Sequence, residues 1–187
     1  TTGGEVSVDV TSSCGTNNYQ MTVVVSPPPT VDYIFEDFES NRNITYGMVS
    51  GTLSQTVANP APSAANNSSS VGQYIRNASE QYDIILMESS QIGNALEYVS
   101  GQKLIWLDVY TDAPIGTELM LQLEDGTQTV NPYPAGRHSR YTARTATQNA
   151  WHRLEFELLD RPDASVGALD INQLALLVEP NANTSHT

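Results

Sequence analysis

Short runs of alternating hydrophobic and polar residues, separated by turn-forming residues, fill the chain from Leu104 to Leu159. In LIWLDVY, Ile105, Leu107 and Val109 alternate with Trp106, Asp108 and Tyr110. A turn follows in TDAPIGT, and ELMLQLE then sets Leu119, Leu121 and Leu123 against Glu118, Gln122 and Glu124. A polar, basic insertion leads to HRLEFEL, with Leu154, Phe156 and Leu158 on one face and Arg153, Glu155 and Glu157 on the other. Period-two alternation in runs of this length predicts half-buried antiparallel strands. Further strands are expected over Val71–Ile75, Ile84–Glu88, 140–147 and Ile171–Val178, with one short strand within Gly47–Val57. Asn59–Ser70 reads as a loop and Arg161–Ser165 as a turn. No sustained 3.6-residue period and no internal repeat appear. Many short strands with Gly, Pro and Asn turns predict an all-β fold, an antiparallel β-sandwich of jelly-roll type.

The first 26 residues form a separate pattern. Glu5–Val10 and Met21–Val25 alternate, with the Cys-Gly and Asn-Asn loop Ser12–Asn18 between them. An isolated hairpin is marginal in water, and about 30 residues cannot build a core alone. The triple proline in SPPPT (Ser26–Thr30) is stiff and lacks donors for a ladder, as suits a linker. The hairpin resembles the last two strands of a PKD-type immunoglobulin-like domain. The expected organisation is therefore an immunoglobulin-like hairpin fragment over 1–26, a proline linker over 27–31 and a β-sandwich module over 32–187.

Composition narrows the function. A formal charge of −13 over 187 residues argues against nucleic-acid binding, because phosphate contacts need clustered Lys and Arg. Within this acidic chain, Arg137, Arg140, Arg144, Arg153 and Arg161 make a local basic region. No run approaches the roughly 20 apolar residues of a membrane span. No signal-peptide pattern opens the chain, so secretion would need a signal upstream of it. Cys14 is the single cysteine and cannot form an internal disulfide; a buried free thiol is the expectation, with pairing to a residue outside this sequence as the alternative. Asn43, Asn66, Asn67, Asn77 and Asn183 fit the glycosylation triplet, a pattern that recurs by chance in a chain rich in Asn, Ser and Thr.

YIFEDFE, Asn59-Pro60 with NNSSSVGQYIR, LDVYTDAPIGTELMLQLE, YPAGRHSRYTA, WHRLEFELLDRPD and LVEPN together carry a resemblance. In order and spacing they resemble the non-catalytic, carbohydrate-binding-type β-sandwich modules of secreted bacterial polysaccharide-degrading proteins. The resemblance runs from about Tyr33 onward. It implies a further aromatic-rich strand after PNANTSHT, so the sequence reads as a piece cut at both ends. It also implies a structural Ca²⁺ between the acidic opening and a late Asp, held by Glu39, Asp37 and Asn41 with Asp170 as a partner. Carboxylates beside Asn and carbonyl oxygens suit this hard cation; an ordinary solvated acidic edge is the plain structural alternative.

The second candidate site is NPYPAGRHSRYTAR. Tyr133, Arg137, His138, Arg140 and Tyr141 combine planar faces with forked cationic donors, which sugars need. Two prolines and a glycine stiffen the loop and lower the ordering cost of binding. The basic content suits an acidic polysaccharide over a neutral one. The bland alternative has Arg140 and Tyr141 alternating on a strand and His138 packing locally. Trp106 and Trp151 lie in or beside strands and are expected in the core, while Tyr74, Tyr98 and Tyr110 are candidates for a concave face.

No HExxH spacing or GxSxG elbow occurs among the histidines and serines. The chain is therefore expected to be non-catalytic. The expected function is a polysaccharide-binding module of a secreted or cell-surface multimodular bacterial protein, with neighbouring domains of the same parent as partners. One alternative is a structural or adhesive module that binds no sugar. Another is a polysaccharide lyase with His138 or Tyr141 as base, which would need an open groove where both reach one point.

Overall fold

The structure, a computed structural model, describes residues 5–10, 19–24, 30–129 and 132–185. It divides into two compact units, Thr1–Tyr33 and Ile34–Thr187. In the first, β1 (Glu5–Val10) pairs antiparallel with β2 (Tyr19–Val24), in a register from Glu5↔Val24 to Val10↔Tyr19. These are the two alternating runs of the sequence. Cys14 and the three prolines Pro27, Pro28 and Pro29 lie outside the described residues.

The second unit is built on a seven-stranded antiparallel sheet. Its strands are β3 (Thr45–Val49), β6 (Ile84–Glu88), β7 (Ile105–Val109), β8 (Glu118–Glu124), β9 (Arg137–Arg144), β10 (His152–Asp160) and β11 (Gln173–Val178). They lie in the order β3-β6-β11-β8-β9-β10-β7. A second, two-stranded sheet pairs β4 (Thr52–Ala58) with β5 (Ser70–Ile75). The chain is thus all-β, with curled antiparallel sheets of β-sandwich type compatible with a jelly roll.

Alternation decides which face is buried. Leu119, Leu121 and Leu123 pair in register with Val178, Leu176 and Leu174 on one side and with Ala143, Tyr141 and Ser139 on the other. Leu154 and Phe156 continue the same face opposite Leu107 and Ile105. These side chains form one core with Ile92, Ala95, Val166 and Ile171. Burying the core face removes apolar area at roughly 25 cal/mol per Å², and a one-residue slip would send every leucine to the opposite face.

Two expectations are corrected. The short strand predicted within Gly47–Val57 is two strands in different sheets, turned at Ser50-Gly51. A Cβ at Gly51 would lie 2.2 Å from the Ile75 carbonyl oxygen, so only glycine fits this corner. The run predicted as 140–147 begins instead at Arg137. The five-residue helix α1 (Ala95–Val99), capped by the Asn94 side chain on Leu96 N–H at 3.0 Å, is too short to leave a periodic signal.

Between the two-stranded sheet and the core face lies an apolar cleft of about 470 Å³, lined by Leu53, Val71, Met87, Val109, Leu176 and Trp151 among others. Phe38 closes on Gly72 beside it: a Cβ on Gly72 would stand 2.2 Å from the Phe38 ring. At the end of β5, buried Arg76 donates to the carbonyls of Val178, Glu80 and Thr184 at 2.8 Å each, and to Ala182 at 2.5 Å. One guanidinium therefore ties the segment after β11 to the β5–β6 connection.

Candidate functional site

Arg137 and Arg140 are three residues apart, a spacing that places strand residues on opposite faces. The structure brings them to one face with a β-bulge. Glu124 pairs with Arg137 and Leu123 with Ser139, so His138 is the extra residue of β9. The bulge re-aims Arg137 outward, on the face opposite the core, while Ser139 remains inside. A second irregularity at Leu159 in β10 sets Asp160 opposite Arg140 on that same outer face.

The preceding loop delivers Tyr133 to both arginines. The residue is 51% exposed, with the Arg137 guanidinium 5.7 Å and the Arg140 guanidinium 5.8 Å from its ring centroid. Gly136, at φ 80°, makes the turn back into β9, where a Cβ would stand 2.6 Å from Thr129 N. Asp163 accepts from Gly136 N–H at 3.0 Å, and Arg137 N–H donates to the Pro134 carbonyl at 3.0 Å. Three of the five residues expected to bind, Tyr133, Arg137 and Arg140, thus meet at one place. Such cation–π geometry contributes about 0.5–1 kcal/mol when exposed.

His138 and Tyr141, expected as ligand contacts, are buried in this structure, at 0% and 2% exposed. The Arg161 Nη2 donates to His138 Nε2 at 3.2 Å, and His138 Nδ1 lies 3.0 Å from Ser139 Oγ. Because arginine only donates, the ring is neutral with its proton on Nδ1. Burial and the Arg161 charge hold the His138 pKa below its ordinary value. Tyr141 Oη donates to the same Ser139 Oγ at 3.1 Å. Both side chains are buried.

The basic region is a set of ion pairs along the rungs of the sheet. Arg137 Nε lies 3.5 Å from Glu124 Oε1, Arg140 Nε donates to Asp160 Oδ1 at 2.7 Å, and Arg144 pairs with Glu118. Arg153 holds Asp108 with both nitrogens, at 2.8 and 2.9 Å, and stacks 4.6 Å from the Trp106 ring centroid. Each pair is a cross-strand neighbour by register, the position where opposite charges stabilise a sheet. The Arg140 hydrogen bond holds the Asp160 carboxyl below its usual range. Burial pushes Glu124 up, against its bonds from Gln173 and Arg137.

Sequence reasoning missed Gln122. It stands between Arg140 and Ala175 by register and is 7% exposed. Its Oε1 is the one buried side-chain oxygen or nitrogen without a partner among the described residues. A glutamine alternating with leucines on a strand looks solvated in sequence, which is why it drew no attention.

In the acidic opening Asp37 caps its own turn, and Glu39 ties that turn to the start of β5. Asp37 accepts from the backbone N–H of Glu39 and Asn41 at 2.8 and 2.9 Å and from Asn41 Nδ2 at 2.6 Å. Glu39 Oε1 accepts from Ser69 and Ser70 N–H at 2.7 and 3.0 Å. Asp170 belongs to the turn before β11, its carboxylate against Gly167. Among the described residues, no three His, Cys, Asp or Glu side chains converge as a metal site. Trp151 donates to Asn59 Oδ1 at 3.0 Å and meets Tyr110 at 5.8 Å on the rim of the cleft. Tyr74 bonds Asp83 beside that cleft, and Tyr98 donates to the Ile92 carbonyl within the core.

No helix among the described residues is long and apolar enough to cross a membrane. No protein-family model matches the chain, and no curated protein matches it at a meaningful level of similarity.

Proposed function

We propose that the protein is a non-catalytic glycan-binding module of an extracellular, multimodular protein, and that its outer sheet face is the binding surface. The observation that carries this reading is Tyr133, an exposed ring held against two guanidiniums that are themselves fixed by carboxylates and by a bulge. Aromatic faces pack on sugar C–H surfaces, and fixed planar donors meet hydroxyls without a large ordering cost. The arginines stand on a strand, which favours precise placement, and the loop that carries Tyr133 is tied to it by the Gly136 N–H on Asp163 and the Arg137 N–H on the Pro134 carbonyl.

Affinity electrophoresis through gels containing single polysaccharides tests the reading. Retardation by at least one polymer is expected, and its loss in a Tyr133→Ala/Arg137→Ala double variant. A folded protein that no polymer retards would favour the adhesive alternative.

A structural Ca²⁺ at Glu39 belongs to the same proposal. Glu39 has one oxygen engaged by Ser69 and Ser70, leaving the other for an ion alongside backbone carbonyls. A thermal midpoint that rises with millimolar calcium (about 1 mM or more), and falls again with chelator, is expected. An unchanged midpoint would remove the ion from the account.

A further inference from the structure

The outer face that binds glycan under the reading above carries four guanidiniums, and every one is engaged. Arg137 meets Glu124, Arg140 meets Asp160, Arg144 meets Glu118 and Arg153 meets Asp108. Glu155 and Glu157 share that face by alternation and register. Carboxylates therefore outnumber cations on a surface whose sequence looks basic. A uronate or sulfate would have to separate a fixed pair and then sit beside the displaced carboxylate, and like charges at that distance repel.

We infer that this face takes an uncharged, hydroxyl-rich glycan chain rather than an acidic one, and that the Gln122 carboxamide reads one of its hydroxyls. The inference rests on the binding-module reading. An intact guanidinium–carboxylate pair offers both unused N–H donors and unused oxygen lone pairs, the combination that vicinal hydroxyls complement. Gln122 supplies an independent sign of a missing partner. Its buried Oε1 accepts no hydrogen bond, and its amide nitrogen has only the Met120 sulfur, at 3.9 Å. A buried acceptor without a donor carries a free-energy cost in the unliganded protein. The neighbours by register are Arg140 and Ala175, and Ala175 has nothing to offer it.

The same grouping recurs across the face. Trp106, Arg153 and Asp108 repeat the order ring, guanidinium, carboxylate found in Tyr133, Arg140 and Asp160. Counted along β10 at about 3.3 Å per residue, the two groups stand roughly 20 Å apart. A monosaccharide cannot touch both, whereas a chain can.

Affinity gels with neutral polymers (glucomannan, xylan, laminarin) and acidic ones (alginate, polygalacturonate, chondroitin sulfate), each at low and high salt, distinguish the outcomes. The expected result is retardation by a neutral polymer that persists in high salt. Gln122→Leu and Gln122→Met should each bind about ten-fold more weakly while remaining folded by circular dichroism. Tyr133→Ala and Trp106→Ala should each weaken the polymer's hold. Retention confined to acidic polymers and abolished by salt would overturn this inference and leave the binding-module reading standing. So would a neutral polymer held as tightly by both Gln122 variants as by the wild type. Retardation by none would overturn both readings together.

Discussion

His138 links the interior to pH. Its ring is closed from solvent and faces the Arg161 guanidinium, so protonation places a second positive charge beside the first. The folded-state pKa lies below the ordinary 6.5. Stability from this group is therefore fully present above pH 6.5 and is lost as pH falls through the depressed folded value. The thermal midpoint of the wild type should decline below pH 6.5 more steeply than that of His138→Gln. Parallel profiles would show that the ring stays neutral for another reason. Arg76 makes the complementary case, a permanent charge whose partners are backbone carbonyls of three segments. Arg76→Met leaves those acceptors buried without donors, at about 1–3 kcal/mol each. A loss of roughly 3 kcal/mol or more is expected by denaturant titration; a loss under about 1 kcal/mol would show that water replaces the guanidinium.

Bulges and corners decide, at the scale of elements, what the strands present. The leucines of β8 and the apolar residues of β7, β10 and β11 were legible because alternation survives wherever one face is buried. His138 was not, since one extra residue in a strand has no compositional mark. Residue type alone made Arg137, His138, Arg140 and Tyr141 ligand candidates together; the bulge brings Arg137 to the face of Arg140 and leaves His138 and Tyr141 buried. The ion pairs were equally hidden. A cluster of five arginines within 25 residues looks basic until the register supplies Glu118, Glu124, Asp108 and Asp160 from neighbouring strands. Tyr133 was found from residue type alone, because a proline-flanked aromatic beside arginines needs no register to stand out. Gly72 shows how closely the two-stranded sheet depends on local fit. Gly72→Ala drives a methyl into the Phe38 ring, and overpacking of that kind costs about 1–3 kcal/mol. A midpoint unchanged by this substitution would mean that Phe38 swings aside freely.

Taken whole, the second unit has one face given to cohesion and another that is buried at its centre, at Gln122, Glu124, Ala175 and Leu177, and open along β9 and β10, at Arg144, Arg153, Glu155 and Glu157. The core face carries the leucines, the buried His138–Ser139–Tyr141 chain and, toward the two-stranded sheet, an apolar cleft rimmed by Tyr110 and Trp151. The outer face carries aromatic rings, paired charges and an unsatisfied amide. A net charge of −13 sets a repulsive field against polyanions, consistent with a neutral ligand. Both faces hold aromatics, so the central claim is about location. The most direct test is retardation of Tyr133→Ala and Trp151→Ala side by side, in a gel of whichever polymer holds the wild type. Loss of retardation in Tyr133→Ala, with Trp151→Ala folded and still held, is the predicted result; retention of Tyr133→Ala with release of Trp151→Ala would move binding to the cleft and contradict the account.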